Sequence, residues 1–212
     1  MNKILLPNNY QNKNESREHY ELKQIAKYIL KSKGCNVIGN EINIGKGYYL
    51  NEYDQFNKNK LDKSIIDTMG LIVRGGFSPR KEPIFKSIGI EAKVSLADFK
   101  NGFCTRCERT YIIVPKGIIP IELLPPKIGL IEVNLDDYKI VYNNRDNKFE
   151  FSGINEVVKG RSYMDEYFGK NKVKSKDNKK YQQWCKQMLR MIGSRYTIDS
   201  LFKKYEINVE FK

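Results

Sequence analysis

An acid and a lysine, Glu91 and Lys93, stand two residues apart in the otherwise apolar segment SIGIEAKVS, residues 87–95. The apolar residues alternate with other types, which predicts a β-strand whose successive side chains point to opposite faces of a sheet. One face of this strand would carry the core residues Ile88, Ile90, Ala92 and Val94. Glu91 and Lys93 would share the other face, which is either an ordinary solvated sheet face or the wall of a site.

A second acid, Asp67, interrupts the apolar segment SIIDTMGLIV, which is also predicted to be a strand. Asp67 could serve as a turn cap at a strand end, but it precedes Glu91 by 24 positions, a suitable distance for two neighbouring strands. An aspartate and a glutamate on adjacent strands can share Mg²⁺, which binds one or two carboxylates together with waters and substrate phosphate. Lys93 beside them could hold an attacking water or neutralise charge on a phosphate. These groups suit phosphodiester hydrolysis.

The combination of Asp67 with Glu91-Ala92-Lys93 resembles the PD-(D/E)XK nuclease superfamily. The wider sequence, IEAKVSLADF, RCERTYIIVP and ELLPPKIGLIEV, is similar to the MmcB-like branch of DNA-repair nucleases. The likeness covers about residues 34–135 and is better in its second half. The positions that carry it downstream are Ser95, Asp98, Phe99, Cys107, Glu108, Arg109, Tyr111, Leu124, Pro125, Gly129 and Leu130.

The resemblance implies a Mg²⁺-dependent endonuclease acting on DNA, with Mn²⁺ able to substitute. Asp67 and Glu91 would bind the metal together with the Ala92 carbonyl, and Lys93 would be the catalytic lysine. Glu41 matches an acid that the superfamily often carries on its first strand. The sequence departs from the family pattern at Ile66, where the proline of the motif's name is absent, and in the segment KNGFCT, which is shorter than usual.

Three further polar residues near these segments are considered as possible members of the site. Asp98 is expected to cap the helix that follows the Glu91 strand, with metal binding as the alternative. Glu18 could be the first-helix acid that joins the site in some superfamily members, but a solvated helix start is the interpretation we favour. His19, the one histidine in the chain, is expected on an exposed helix face.

The elements that must position these residues follow from apolar periodicity. Residues 14–34 predict an amphipathic helix with Ser16 as its cap and Gly34 as its end, followed by strands and a short helix near residue 98. We expect a loop over residues 51–63, a hairpin over residues 138–153, and a solvated linker over the basic run GKNKVKSKDNKK, residues 169–180. This order predicts an α/β fold, and with the resemblance a restriction-endonuclease-like core whose mixed central β-sheet is flanked by helices. We expect a polar N-terminal segment over 1–14, the nuclease core over 15–158, and a basic helical extension over 159–212.

The net charge of +13 predicts a polyanionic partner, although a lysine-rich composition alone could produce it. The last segment, residues 159–212, holds 14 Lys and Arg against 6 Asp and Glu, so the excess is concentrated there. Within it, an amphipathic pattern around Trp184 predicts a helix whose apolar face packs on the core. The candidate DNA-phosphate contacts on its outer face are Lys179, Lys180, Lys186 and Arg190.

The four cysteines, including the Cys104–Cys107 pair, are expected to be reduced packing residues, and no zinc is expected. The composition predicts a cytoplasmic protein that is not bound to membranes. A homodimer would fit a double-strand cut, but nothing in the sequence demonstrates one. Restriction, repair and mobile-element defence stay open as contexts, as do two other activities: an RNase using the same site, and a catalytically idle protein that only binds nucleic acid.

Overall fold

The computed structural model describes residues 15–44, 65–74, 84–105, 107–162, 175–195 and 210–211; in the helix over 175–195, side chains are described for 181–192. The expectations for residues 1–14, for the loop over 51–63 and for the side chains of Lys179 and Lys180 lie outside these ranges.

The first half of the described chain consists of two helices and four strands of one sheet. Helix α1 spans Arg17–Ser32, and strands β1, β2, β3 and β4 span Val37–Asn43, Ile65–Arg74, Ile84–Ala92 and Arg109–Pro115. A one-turn helix, α2, spans Leu96–Lys100 between β3 and β4. The predicted cap of α1 is confirmed, because the Ser16 side chain accepts a hydrogen bond from the His19 backbone N–H.

The second half adds four strands, a long helix and a two-residue strand. Strands β5, β6, β7 and β8 span Gly129–Val133, Lys139–Asn143, Lys148–Ser152 and Ile154–Val158. Helix α3 spans Ser175–Arg195, and β9 spans Glu210–Phe211. The basic run before Trp184 was predicted to be a linker, but its last six residues already belong to α3. Among the described residues, no helix combines the length and apolar character needed to cross a membrane.

The central sheet is mixed, as predicted, with six strands in the order β1-β2-β3-β4-β5-β8. β1, β2 and β3 pair antiparallel, β3, β4 and β5 pair parallel, and β8 closes the far edge antiparallel to β5. The hairpin predicted after residue 137 forms β6 and β7, and β9 pairs parallel to β6 in a second, three-stranded sheet. The protein is therefore an α/β fold whose mixed central sheet is flanked by helices.

Apolar side chains pack on both faces of the central sheet. Helix α1 covers one face, and its residues Leu22, Ile25 and Leu30 pack there with Ile90 and Ile113. We call this cluster the α1 core. Helix α3 packs on the opposite face with the residues Ile66, Met69, Leu71, Phe85, Cys107, Tyr181, Trp184, Cys185, Met188 and Ile192, which form the α3 core. The predicted packing of the Trp184 face is thus confirmed.

A third cluster, the α2 core, lies beside the α3 core on the same face of the sheet. It joins Phe99 of α2 to Ile112 and Leu130 of the parallel strands. Ile112 and Ile113 are neighbours in β4 yet belong to different cores, as strand alternation requires. The end of β3 that carries Glu91 therefore lies between two helices, α1 on one face and α2 on the other.

Candidate active site

Glu91 lies at the end of β3, in register with acids of two neighbouring strands. In the pairing of β1 with β2, Asn40 lies opposite Thr68 and Ile42 lies opposite Ile66. Glu41, between the two β1 residues, is therefore opposite Asp67. The last β2–β3 pair is Thr68 with Ile90, so one further step sets Asp67 opposite Glu91. The sheet thus aligns three acids that are far apart in the sequence.

The backbone pairing between β2 and β3 ends at Thr68 and Ile90, one step before Asp67 and Glu91. Beyond that point the Asp67 side chain, and not the backbone, contacts β3. The Asp67 carboxylate accepts a hydrogen bond from the Ala92 backbone N–H at 2.9 Å, through Oδ2. Asp67 is thereby held against the residue between Glu91 and Lys93. The sequence prediction that Asp67 is a neighbour of the Glu91 segment is confirmed by this contact.

The alternation of both neighbouring strands shifts by one residue at these acids. Ile66 and Met69 pack in the same core although they are three positions apart, whereas residues on one face of a regular strand are two apart. In β1, Glu41 adopts a left-handed backbone conformation with φ of 50°, which is uncommon for a residue with a side chain. Because of these irregularities, the side chains of Asp67 and Glu41 both lie on the α1 side of the sheet. Regular alternation of side chains along the two strands would not bring both of them to that side.

Helix α1 supplies bases that connect the two acids. His19 lies with Nε2 at 3.4 Å from Asp67 Oδ2 and Nδ1 at 2.7 Å from Glu15 Oε1. Lys23 forms ion pairs with Glu15 and, at 2.7 Å, with Glu41. Acids and bases therefore alternate in an unbroken chain from β2 through α1 to β1.

The charged groups in this series of acids and bases stabilise one another although they are partly buried. Burial alone would lower the pKa of His19, but its hydrogen bonds to Asp67 and Glu15 and the charge of Asp67 outweigh burial and raise the pKa to about 9. Burial would raise the pKa of Asp67, but His19, the Ala92 N–H and Lys93 together hold it below its usual value. At neutral pH, Asp67 is therefore ionised and His19 carries a proton.

Glu91 and Lys93 form the second half of the site, and they are almost fully buried. Their side chains are 2% and 3% exposed, and Lys93 Nζ lies 3.9 Å from Glu91 Oε2. An ordinary solvated sheet face, one of the two interpretations of this pair, is excluded by this burial. The predicted split of the strand is confirmed, since Ile88, Ile90 and Ala92 pack in the α1 core.

On the face of β3 that points away from the α1 core, close packing around Gly89 places Glu91 near Cys104 and Cys107. A Cβ on Gly89 would lie 2.2 Å from Ile66 Cδ1 and 2.9 Å from Cys107 Sγ, so only glycine fits there. Burial raises the pKa of Cys107 well above its usual value, and the neighbouring Cys104, Cys185 and Glu91 add to this rise. All four cysteines are free and buried, as predicted, and Cys107 is a packing residue.

Asp98 does not cap α2, so that prediction was wrong. The N-cap is Ser95, whose side chain accepts a hydrogen bond from the Asp98 backbone N–H. The Asp98 carboxylate instead accepts from Lys93 Nζ at 3.4 Å and from the Val94 N–H at 3.3 Å. Lys93 is therefore held between two carboxylates, one buried and one partly exposed.

One expectation about α1 is confirmed and another is wrong. Glu18 is exposed, as expected for a solvated helix start, and the acid that lies at the site beside α1 is Glu15, one residue before the cap. His19 was expected on an exposed face, but its side chain is 23% exposed and contacts Asp67. The spacing of Glu15, His19 and Lys23, four residues apart each, could have indicated a shared helix face.

The donor chemistry of these residues fits Mg²⁺. Among the described residues, the Ala92 N–H and His19 both contact the Asp67 carboxylate at Oδ2. Asp67 and Glu91 are hard oxygen donors, and Mg²⁺ often needs only one or two carboxylates, with waters and phosphate completing its shell. Within the described part of the chain, no three His, Cys, Asp or Glu side chains are grouped to hold a metal.

On α3, the candidate phosphate contacts differ in exposure. Arg190 is exposed and Lys186 is half-buried, while the backbone of Lys179 and Lys180 is helical. Arg190 therefore points away from the α3 core, as the amphipathic pattern predicted.

Comparisons with known proteins give little further information. No family model and no curated protein matches the sequence. A solved structure of SPO1766, a protein of unknown function from Silicibacter pomeroyi, matches with 18% sequence identity and a TM-score of 0.41. The match covers 87% of this chain and 98% of that one.

Proposed function

We propose that the protein is a Mg²⁺-dependent deoxyribonuclease that hydrolyses phosphodiester bonds at the site formed by Asp67, Glu91 and Lys93. The observation that carries the proposal is the hydrogen bond from the Ala92 N–H to Asp67, which fixes one acid beside the Glu91–Lys93 pair. The antiparallel β1–β2–β3 unit, continued by parallel strands and covered by α1, is consistent with a restriction-endonuclease-like core.

Each residue has a distinct part in this proposal. Asp67 and Glu91 would hold the cation, with the Ala92 carbonyl as a third ligand and Glu41 as an outer acid. A bound Mg²⁺ would supply Lewis-acid stabilisation of charge on the scissile phosphate. Lys93, held between Glu91 and Asp98, would contact the attacking water and the phosphate.

The residues of α1 have a positioning role in the same proposal. Glu15 holds Nδ1 of His19, and His19 in turn faces Asp67 through Nε2. This arrangement restrains the Asp67 side chain, since the Ala92 N–H and His19 approach the same oxygen. His19 therefore orients a metal ligand without needing to touch substrate.

DNA is the proposed substrate because the chain carries a net charge of +13. Neutralising phosphates releases counterions, so binding should weaken steeply as salt rises. Lys179, Lys180, Lys186 and Arg190 of α3 are the proposed backbone contacts. An RNase activity at the same site is the second candidate, and the site chemistry serves both substrates equally.

Cleavage of matched substrates tests the proposal. Supercoiled plasmid and a DNA and an RNA strand of equal sequence are incubated with the purified protein in Mg²⁺, in Mn²⁺ and in EDTA. We expect nicking of DNA with either metal, none in EDTA, and a loss of at least about 100-fold in Glu91→Gln, as for removal of a main electrostatic contributor. If DNA binds but no divalent metal supports cleavage, the protein is an idle binding member of the fold.

A further inference from the structure

The connection between β4 and β5 carries two exposed apolar side chains, Ile121 and Leu123. They are 52% and 47% exposed. They lie two residues apart on a single 3₁₀ turn, Ile121–Leu123. We call residues 116–127 the crossover loop, because it links two parallel strands and must run from one end of the sheet to the other.

The crossover loop is anchored at both ends and hydrogen-bonded within its turn. Ile119 and Ile128 anchor its two ends in the α2 core, and both are almost fully buried. Within the turn, the Leu123 and Leu124 N–H groups donate to the Pro120 and Ile121 carbonyls, each at 3.0 Å. Prolines 120, 125 and 126 restrict the backbone on both sides. These contacts restrain the backbone that carries the exposed pair, which reduces the entropy lost on binding.

Positive charges flank the exposed pair. Lys116 precedes it and is exposed, and Lys127 follows it and is partly exposed. The Lys127 carbonyl accepts a hydrogen bond from the Arg161 N–H, which brings the exposed Arg161 to the same end of the loop. Two acids also lie at the loop: Glu122, between the two apolar residues, and Glu132 of β5, whose carboxylate accepts a hydrogen bond from the Gly117 N–H at 2.9 Å. Since the three cations outnumber these acids, the apolar tip is complementary to nucleic acid, whose stacked bases are bordered by phosphates.

The loop also begins next to the candidate active site. The Lys93 N–H donates to the Ile113 carbonyl of β4, and β4 ends at Pro115, immediately before Lys116. A nucleic acid lying along the loop would therefore reach the strand ends that carry Glu91 and Lys93.

From these observations we propose that Ile121 and Leu123 form a wedge that inserts at a weakened base step of DNA while Lys116, Lys127 and Arg161 hold the flanking phosphates. Apolar side chains of this kind can enter between base pairs, and unstacking is least costly where pairing is already imperfect. The preferred substrate is then a duplex with a mismatch, a nick or a single-strand junction. The inference rests on the proposed function, since it names the substrate class of the same site.

The test measures binding and unstacking in EDTA, where no cleavage occurs. The DNA duplexes carry 2-aminopurine at a mismatched step or at the same step fully paired. With the wild type we expect increased fluorescence at the mismatch and tighter binding to that duplex. In Ile121→Ser/Leu123→Ser the increase should vanish and mismatch affinity should fall about tenfold, while affinity for the paired duplex changes less than about twofold.

The matched control is Ile84→Ser/Val157→Ser, which removes two exposed apolar side chains elsewhere. It should behave as wild type, and the single variant Ile121→Ser should give an intermediate result with an unchanged Tm. Unaltered fluorescence and binding in the loop variant would overturn the inference. Sedimentation provides a second way to overturn it. If the wild type is a dimer, and the loop variant is a monomer with the same DNA affinity per chain, the loop is an interface between copies of the protein.

The two proposals can fail separately. If the mismatch signal depends on the loop but no metal supports cleavage, the wedge stands and the nuclease proposal fails. If the protein cleaves DNA and the loop variant binds and cleaves every substrate as wild type does, the wedge alone is wrong.

Discussion

Replacing Lys93 by methionine should destabilise the protein strongly, because it leaves the Glu91 carboxylate buried without the ammonium group 3.9 Å away. Methionine retains most of the side-chain volume, so the change removes charge with little change in packing. Removing one partner of a buried ion pair typically costs about 3–5 kcal/mol. We expect a loss near the lower end, since the second partner of Lys93, Asp98, is partly exposed and water can solvate it when the ammonium group is absent.

A double-mutant cycle isolates the pair. Glu91→Gln alone should cost less than Lys93→Met, because Lys93 keeps Asp98 at 3.4 Å. The double variant should cost clearly less than the two single changes together, with a coupling of about 1–3 kcal/mol for groups in direct contact. Urea unfolding monitored by the fluorescence of Trp184 measures all three free energies of unfolding.

The matched control is Lys100→Met on α2, an exposed lysine whose replacement should change stability by no more than about 0.5 kcal/mol. A cost below about 1 kcal/mol for Lys93→Met, or strict additivity in the cycle, would refute the reasoning. Either result would mean that the Glu91 carboxylate does not depend on Lys93.

Three further predictions concern the packing of α3 and the buried titratable groups. Trp184→Ala should lower the free energy of unfolding in urea by about 3–5 kcal/mol, because it opens a cavity in the α3 core. Arg190→Ala should leave the free energy of unfolding nearly unchanged. Equal losses in the two variants would contradict the packing of Trp184 in the core. Burial raises the pKa of Glu108 despite hydrogen bonds from Ser162 and Tyr181. Its stabilising contribution is therefore complete below about pH 4.5 and is lost as pH rises through the higher folded-state pKa. Glu108→Gln should flatten the dependence of Tm on pH in that range, and an unchanged slope would contradict this. Burial also raises the pKa of the Cys185 thiol to about 12, so thiol reagents at pH 8 should label it at least about 100-fold more slowly in the native protein than in urea.

Regular patterns in the sequence predicted most of the fold. The helical period of α1 and α3 and the alternation in β3 each reflect one apolar face, and the buried residues confirm those faces. The cap at Ser16 and the left-handed Gly34 at the end of α1 follow from local backbone chemistry that a sequence displays directly. Where a helix begins in a polar run is less visible, which is why the start of α3 was placed too late.

The site was only partly predictable, because its geometry depends on irregular backbone. The contact of Asp67 with the Glu91 segment followed from two strands and a suitable separation. The positive φ of Glu41 and the shift of alternation beside Asp67 leave no periodic signal, so the turn of these acids towards α1 could not be predicted. His19 was placed on the solvent side because a lone histidine on a helix gives no indication of which strand end it will meet.

The cleavage chemistry depends on one claim, namely that Asp67 and Glu91 bind the same divalent cation beside Lys93. Diffraction from a crystal soaked in Mn²⁺, collected near the manganese absorption edge, tests it directly. We predict an anomalous peak about 2.0–2.4 Å from a carboxylate oxygen of each of the two acids, absent from crystals of Asp67→Asn. A well-diffracting soaked crystal without that peak, or with manganese bound only at other residues, would contradict the account.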